Sequence, residues 1–166
     1  MNEAPERRGP PRQGNAPRPG GPPRGDRRPP EPYRPIDPKD LRAIVVDGNA
    51  AATVQEAQRL ARVLAGERLE ARHATSGALR TLWGTLREMA IDWPVAAGGG
   101  LPLLKPRLAY LAGRAGPAGR GVGDLQSVIA PAIDLVGDDR DRFDHLVDFV
   151  EAVMAYYFAG PQFGGR

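Results

Sequence analysis

The sequence predicts an all-α protein: a compact bundle of five to six helices behind a disordered N-terminal tail. Two observations lead there. From residue 35 onward apolar side chains recur at helical spacing, and strict two-residue alternation is nearly absent. Residues 1–34, by contrast, hold many of the 18 prolines and almost no aliphatic side chain. Such a stretch cannot bury enough apolar surface to offset the entropy of ordering it. The expected organisation is therefore a tail over 1–34 and a folded bundle over 35–166.

The elements follow in order. Asp37-Pro38-Lys39-Asp40 opens a short first helix through Leu41 and Ile44, with a capping carboxylate and proline at the first helical position. Ile44-Val45-Val46 is β-branched and could instead be extended. Asp47-Gly48 breaks the chain. A second helix covers roughly 50–66, although Thr53-Val54-Gln55-Glu56 has capping-box form and could start it as late as Thr53. Ala57, Leu60, Ala61 and Leu64 give its apolar stripe, and Gly66 stops it.

Thr75 or Ser76 is expected to cap the third helix, whose apolar face is Leu79, Leu82, Trp83, Leu86, Met89 and Ala90. Trp93-Pro94 and the Gly98–Gly100 run end it. A fourth begins near Pro102 with Leu104, Leu108 and Leu111 inward, and Pro106 early enough to be tolerated. Gly113 to Gly123 reads as a flexible connection. The fifth helix carries Leu125, Val128, Ile129, Ala132, Ile133 and Val136, with a kink expected at Pro131. Asp138 is the expected cap of the last helix, whose stripe is Phe143, Leu146, Val147, Val150, Met154 and Tyr157; Gly160-Pro161 closes it.

Charge is unevenly spread. The tail has eight arginines against four acids, residues 35–123 have 12 basic against 8 acidic groups, and residues 124–166 have 3 against 8. The tail reads either as a solvated Arg/Pro linker or as an arm that finds phosphate. The folded part could meet an anion on its basic half and a basic protein on its acidic half.

Catalytic chemistry finds little support. Without cysteine there is no disulfide, thiolate nucleophile or cysteine-held metal. Ser76 and Ser127 are the only serines, and neither lies in Gly-x-Ser-x-Gly. The Gly116–Gly123 stretch has Val122 where a phosphate loop needs lysine. His73 stands alone. Asp141, Asp144, His145 and Asp148 share a face of the last helix and could hold a divalent metal. That face lies opposite the apolar stripe, however, so a solvated surface or a patch for a basic partner is the expected reading. No enzyme activity, metal or cofactor is expected. No apolar run approaches the ~20 residues of a membrane span, and the N-terminus lacks the apolar core of a secretion signal, so a cytoplasmic protein is expected.

Basic side chains on helix faces carry more information. Arg80 and Arg87 share one side of the third helix, and Arg72 leads into it. On the fourth, Arg107, Tyr110 and Arg114 fall at i, i+3 and i+7, with Lys105 in the first turn. Guanidinium groups grip phosphate with paired hydrogen bonds, and an aromatic between them can stack on a base. The alternative is an ordinary solvated face with Tyr110 in the core.

Four blocks carry a family resemblance: Ala74–Arg80, Leu101–Arg114, Ala132–Asp138 and Phe143–Gly160. In this order, and with these helix breaks, the chain from about residue 38 to 160 resembles the small subunit of type III-A CRISPR (Csm) effector complexes. The resemblance implies a non-catalytic, all-helical RNA-binding subunit working in antiviral defence. Its partners would be CRISPR RNA and target RNA, further copies of itself and the other Csm subunits. It would hold target RNA paired to CRISPR RNA along the inner filament through backbone contacts, which suits a system where base pairing supplies specificity. By matched position it points to Arg80, Lys105, Arg107 and Arg114 as RNA-binding residues; Arg72 and Arg87 follow from face geometry. The competing reading is a helical adaptor that bridges protein subunits without touching RNA.

Overall fold

The computed structural model describes residues 34–66, 69–116 and 119–160, with side chains of the third helix from residue 74 onward. The tail, apart from Arg34, lies outside the described residues, as do the side chains of Arg72 and His73. Among the described residues every regular element is helical.

Helix α1, Pro38–Val45, starts as its sequence predicts. The Asp37 carboxylate accepts the Lys39 amide at 2.8 Å, and Leu41, Ile44 and Val45 are buried. The β-branched run stays helical because its side chains reach the core, where packing outweighs a small propensity cost. Helix α2, Ala50–Ala65, is capped by Asn49, whose side chain accepts the Ala52 amide at 3.0 Å. Thr53 is not the cap. It sits inside the first turn and donates its hydroxyl to the Asn49 carbonyl.

Helix α3, Leu69–Ile91, corrects the expected start at Thr75 or Ser76. Both lie inside the helix, and Thr75 is fully buried. Leu79, Leu82 and Leu86 enter the core, while Trp83, Met89 and Ala90 pack at its edge. A single turn, α4 (Trp93–Val95), and a π-helical turn (Ala96–Gly100) then reverse the chain, with Gly99 at φ +145°. Helix α5, Leu104–Ala115, has Pro106 in its first turn. The expected Gly113–Gly123 connection is shorter than predicted: α5 runs to Ala115 and α6, Arg120–Val136, already includes Gly121 and Gly123. Helix α7, Arg140–Ala159, is capped by Asp139, which accepts the Arg142 amide at 3.1 Å, and not by Asp138.

Helix α7 is the centre of the bundle. It packs most extensively on α2 and also touches α1, α3 and α6, while α5 lies outside, mainly against α6. Phe143 and Phe149 are fully buried, with Leu60, Leu64, Leu86, Leu125 and Ile129 around the same core. Arg140 ties the start of α7 to the end of α3. It pairs with Asp144 at 3.0 Å and donates to the Ala90 carbonyl at 3.1 Å. Its guanidinium also lies over the rings of Trp93 and Phe143, which meet at a tilt of 34° with centroids 4.5 Å apart.

Candidate nucleic-acid interface

Helix α5 has two faces because Leu104 and Leu108 are drawn into the core while Leu111, Ala112 and Ala115 seal its edge. Arg107, Tyr110 and Arg114 are thereby left on the outside, all exposed. Helical side chains lean toward the N-terminus, so Arg114 leans toward Tyr110 and Tyr110 toward Arg107. Neither arginine forms an ion pair with a described residue. Tyr110 is 67% exposed and so is no part of the core.

Lys105, Arg80 and Arg87, also predicted, have partners within the chain. Lys105 Nζ lies 2.6 and 2.8 Å from the two carboxylate oxygens of Asp134, an ion pair that ties α5 to α6. The Arg80 guanidinium stands 4.7 Å from the Phe158 ring centroid, and that of Arg87 stands 5.8 Å from Trp83. All three nevertheless reach solvent, and cation–π and exposed ion-pair contacts are weak enough to exchange for phosphate.

A shallow groove of about 320 Å³ separates α3 from α5 and brings the two basic helices together. Ala74, Gly77 and Thr81 line one wall, Leu111 and Arg114 the other, with Val122 of α6 below. Its small apolar lining provides neither a nucleophile nor a titratable cluster.

The acidic face of α7 does not assemble as its spacing suggested. His145 turns inward rather than to solvent, with Nδ1 3.0 Å from the Val45 carbonyl oxygen. That oxygen can only accept, so the proton is assigned to Nδ1. The rest of the ring sits against Gly48, where a Cβ would come within 2.5 Å of Nε2. Asp144 is held by Arg140, and Asp141 and Asp148 are exposed. Among the described residues no group of three or more His, Asp or Glu side chains is placed to hold a metal ion.

Sequence reasoning missed the partners Asp134 and Phe158, because helical spacing reports neighbours on one helix and not contacts between helices. It also missed the large apolar side chains exposed around the α3–α5 connection: Ile91 at 88%, Val95 at 68% and Leu103 at 57%. No described helix is long and apolar enough to cross a membrane.

No match is found among curated proteins or among solved structures. Residues 47–160 match the family described as Csm2 Type III-A. That span runs from the turn after α1 to the end of α7, taking in both walls of the groove and the exposed face of α5. By this match the chain belongs to the Csm2 family, the small subunit of type III-A Csm complexes.

Proposed function

We propose that this chain is a non-catalytic RNA-binding subunit that holds target RNA paired to CRISPR RNA along the inner Csm filament, serving antiviral defence in the cytoplasm. The observation that carries the reading is the outer face of α5, where Arg107 and Arg114 are exposed and form no ion pair with a described residue. Unmatched guanidinium groups bind phosphate without first breaking an internal contact, and backbone contacts suffice where the guide supplies sequence specificity. Arg80, Arg87 and Lys105 would join by exchanging Phe158, Trp83 and Asp134 for phosphate oxygens. Arg72, in the first turns of α3, is proposed to join them.

In this reading residues 35–166 form the working domain and 1–34 an extension from it. Further copies of the chain and the other Csm subunits would cover the apolar side chains at Ile91, Val95 and Leu103. The same exposed residues favour the second reading, an adaptor that bridges proteins without RNA contact. Ultraviolet crosslinking of the assembled complex separates the two. RNA-linked peptides from 74–91 and 104–115 are expected, and their absence alongside protein crosslinks at the same helices would establish the adaptor instead.

A further inference from the structure

Tyr110 differs from the other described aromatic side chains that reach the surface. Phe158 is covered by Arg80 and meets Tyr157 edge-on, with centroids 5.1 Å apart. Trp83 is covered by Arg87, and Trp93 packs on Phe143 beneath Arg140. Tyr156 is partly buried against the core. Among the described residues Tyr110 has neither a ring partner nor a cation over it, and at 67% it is more exposed than any of them.

Its surroundings leave the ring open. Ala109 before it and Gly113 one turn after it are small, and a Cβ built at Gly113 would meet nothing within 4 Å. Arg107 and Arg114 stand on either side, about 10 Å apart along the axis at 1.5 Å per residue. A strand whose phosphates are held by both guanidinium groups passes within reach of the tyrosine between them.

We propose that Tyr110 is a stacking platform for an unpaired RNA base, positioned by phosphate contacts from Arg107 and Arg114. A paired base is already covered on both faces within its helix, so the occupant is a nucleotide that is single-stranded or splayed out of the duplex. Every base offers a π-face, so the site adds affinity without reading sequence. This inference rests on the RNA-binding reading above and names the chemical class that the α5 face takes.

The test uses the full chain and a single-stranded RNA carrying one 2-aminopurine, titrated against wild type, Tyr110→Leu, Tyr110→Phe and the pair Arg107→Ala with Arg114→Ala. Wild type and Tyr110→Phe should bind alike and quench the fluorophore. Tyr110→Leu should lose quenching and bind roughly 5- to 150-fold more weakly, the range expected for one stacked base, with its salt dependence unchanged. Unaltered affinity and quenching in Tyr110→Leu would overturn the platform while leaving RNA binding intact, provided the arginine pair still weakens it. An arginine pair that leaves both affinity and salt dependence untouched would overturn the underlying reading as well. Equal weakening of Tyr110→Leu toward an abasic ribose-phosphate chain would show that no base is held. A Tyr110→Leu chain that binds RNA normally but fails to assemble with other Csm subunits would reassign the ring to a protein contact.

Discussion

The Arg80 guanidinium lies 4.7 Å from the centroid of the Phe158 ring, joining the middle of α3 to the last turn of α7. An arginine proposed to meet RNA is thus also the cover of an apolar ring that is 44% exposed. Its recruitment by a phosphate would uncover that ring.

The contact should be measurable in the free protein. A double-mutant cycle with Arg80→Ala and Phe158→Ala, followed by urea unfolding, is expected to give a coupling of about 0.5–1 kcal/mol, the worth of a cation–π contact at an exposed site. Strict additivity would show that the two side chains are independent in solution.

The turn between α1 and α2 should be intolerant of any side chain. Gly48 has φ +62°, and an added Cβ would collide with the His145 ring. Gly48→Ala should cost about 1–2 kcal/mol of backbone strain, and more if His145 gives up its bond to the Val45 carbonyl, worth about 0.5–1.5 kcal/mol. Combining it with His145→Ala should cost less than the sum of the two single changes, since the collision is then gone. Thermal unfolding of the three variants decides this.

Asp134 sets how much charge Lys105 offers. The pair is largely exposed, so Asp134→Asn should lower stability by less than about 1 kcal/mol. If Lys105 belongs to the interface, it already gives up Asp134 for a phosphate on binding, so its release should tighten single-stranded RNA binding by up to about fivefold with the salt slope unchanged. Titrations at several salt concentrations check both, and an unaltered affinity would remove Lys105 from the interface.

Arg107 and Arg114 should behave in the opposite way. Replacing both by Ala is expected to leave stability within about 0.5 kcal/mol, because both are exposed and neither pairs with a described acidic residue. The salt slope should flatten by about 1.4, two single-strand phosphate contacts at 0.7 each. Circular dichroism checks that helicity is retained.

The bundle was largely readable from sequence, for reasons visible in particular residues. Asp37-Pro38, Gly66 and Gly160 mark helix ends by local chemistry, and local chemistry is what a short window contains. The start of α3 was misplaced because Thr75-Ser76 has the composition of a cap, yet Thr75 is buried within a helix already running from Leu69. Phe149 and Val153 lie off the single stripe expected of α7 and are buried all the same, since that helix is enclosed by α1, α2, α3 and α6. On α5 the spacing places Leu104 and Leu108 inside but leaves Tyr110 open between core and surface, and only the packed structure puts its ring outside. What spacing could not give was pairing across the fold: Lys105 and Asp134 are 29 residues apart, and His145 and Val45 are 100 apart.

The broad pairing of α2 with α7 has a bearing on how the protein is made. While α7 is still being synthesised, the inward sides of α1, α2, α3 and α6 have no central strut to close upon. Until α7 emerges from the ribosome, the chain carries that apolar surface uncovered, the condition under which partly folded chains associate with one another.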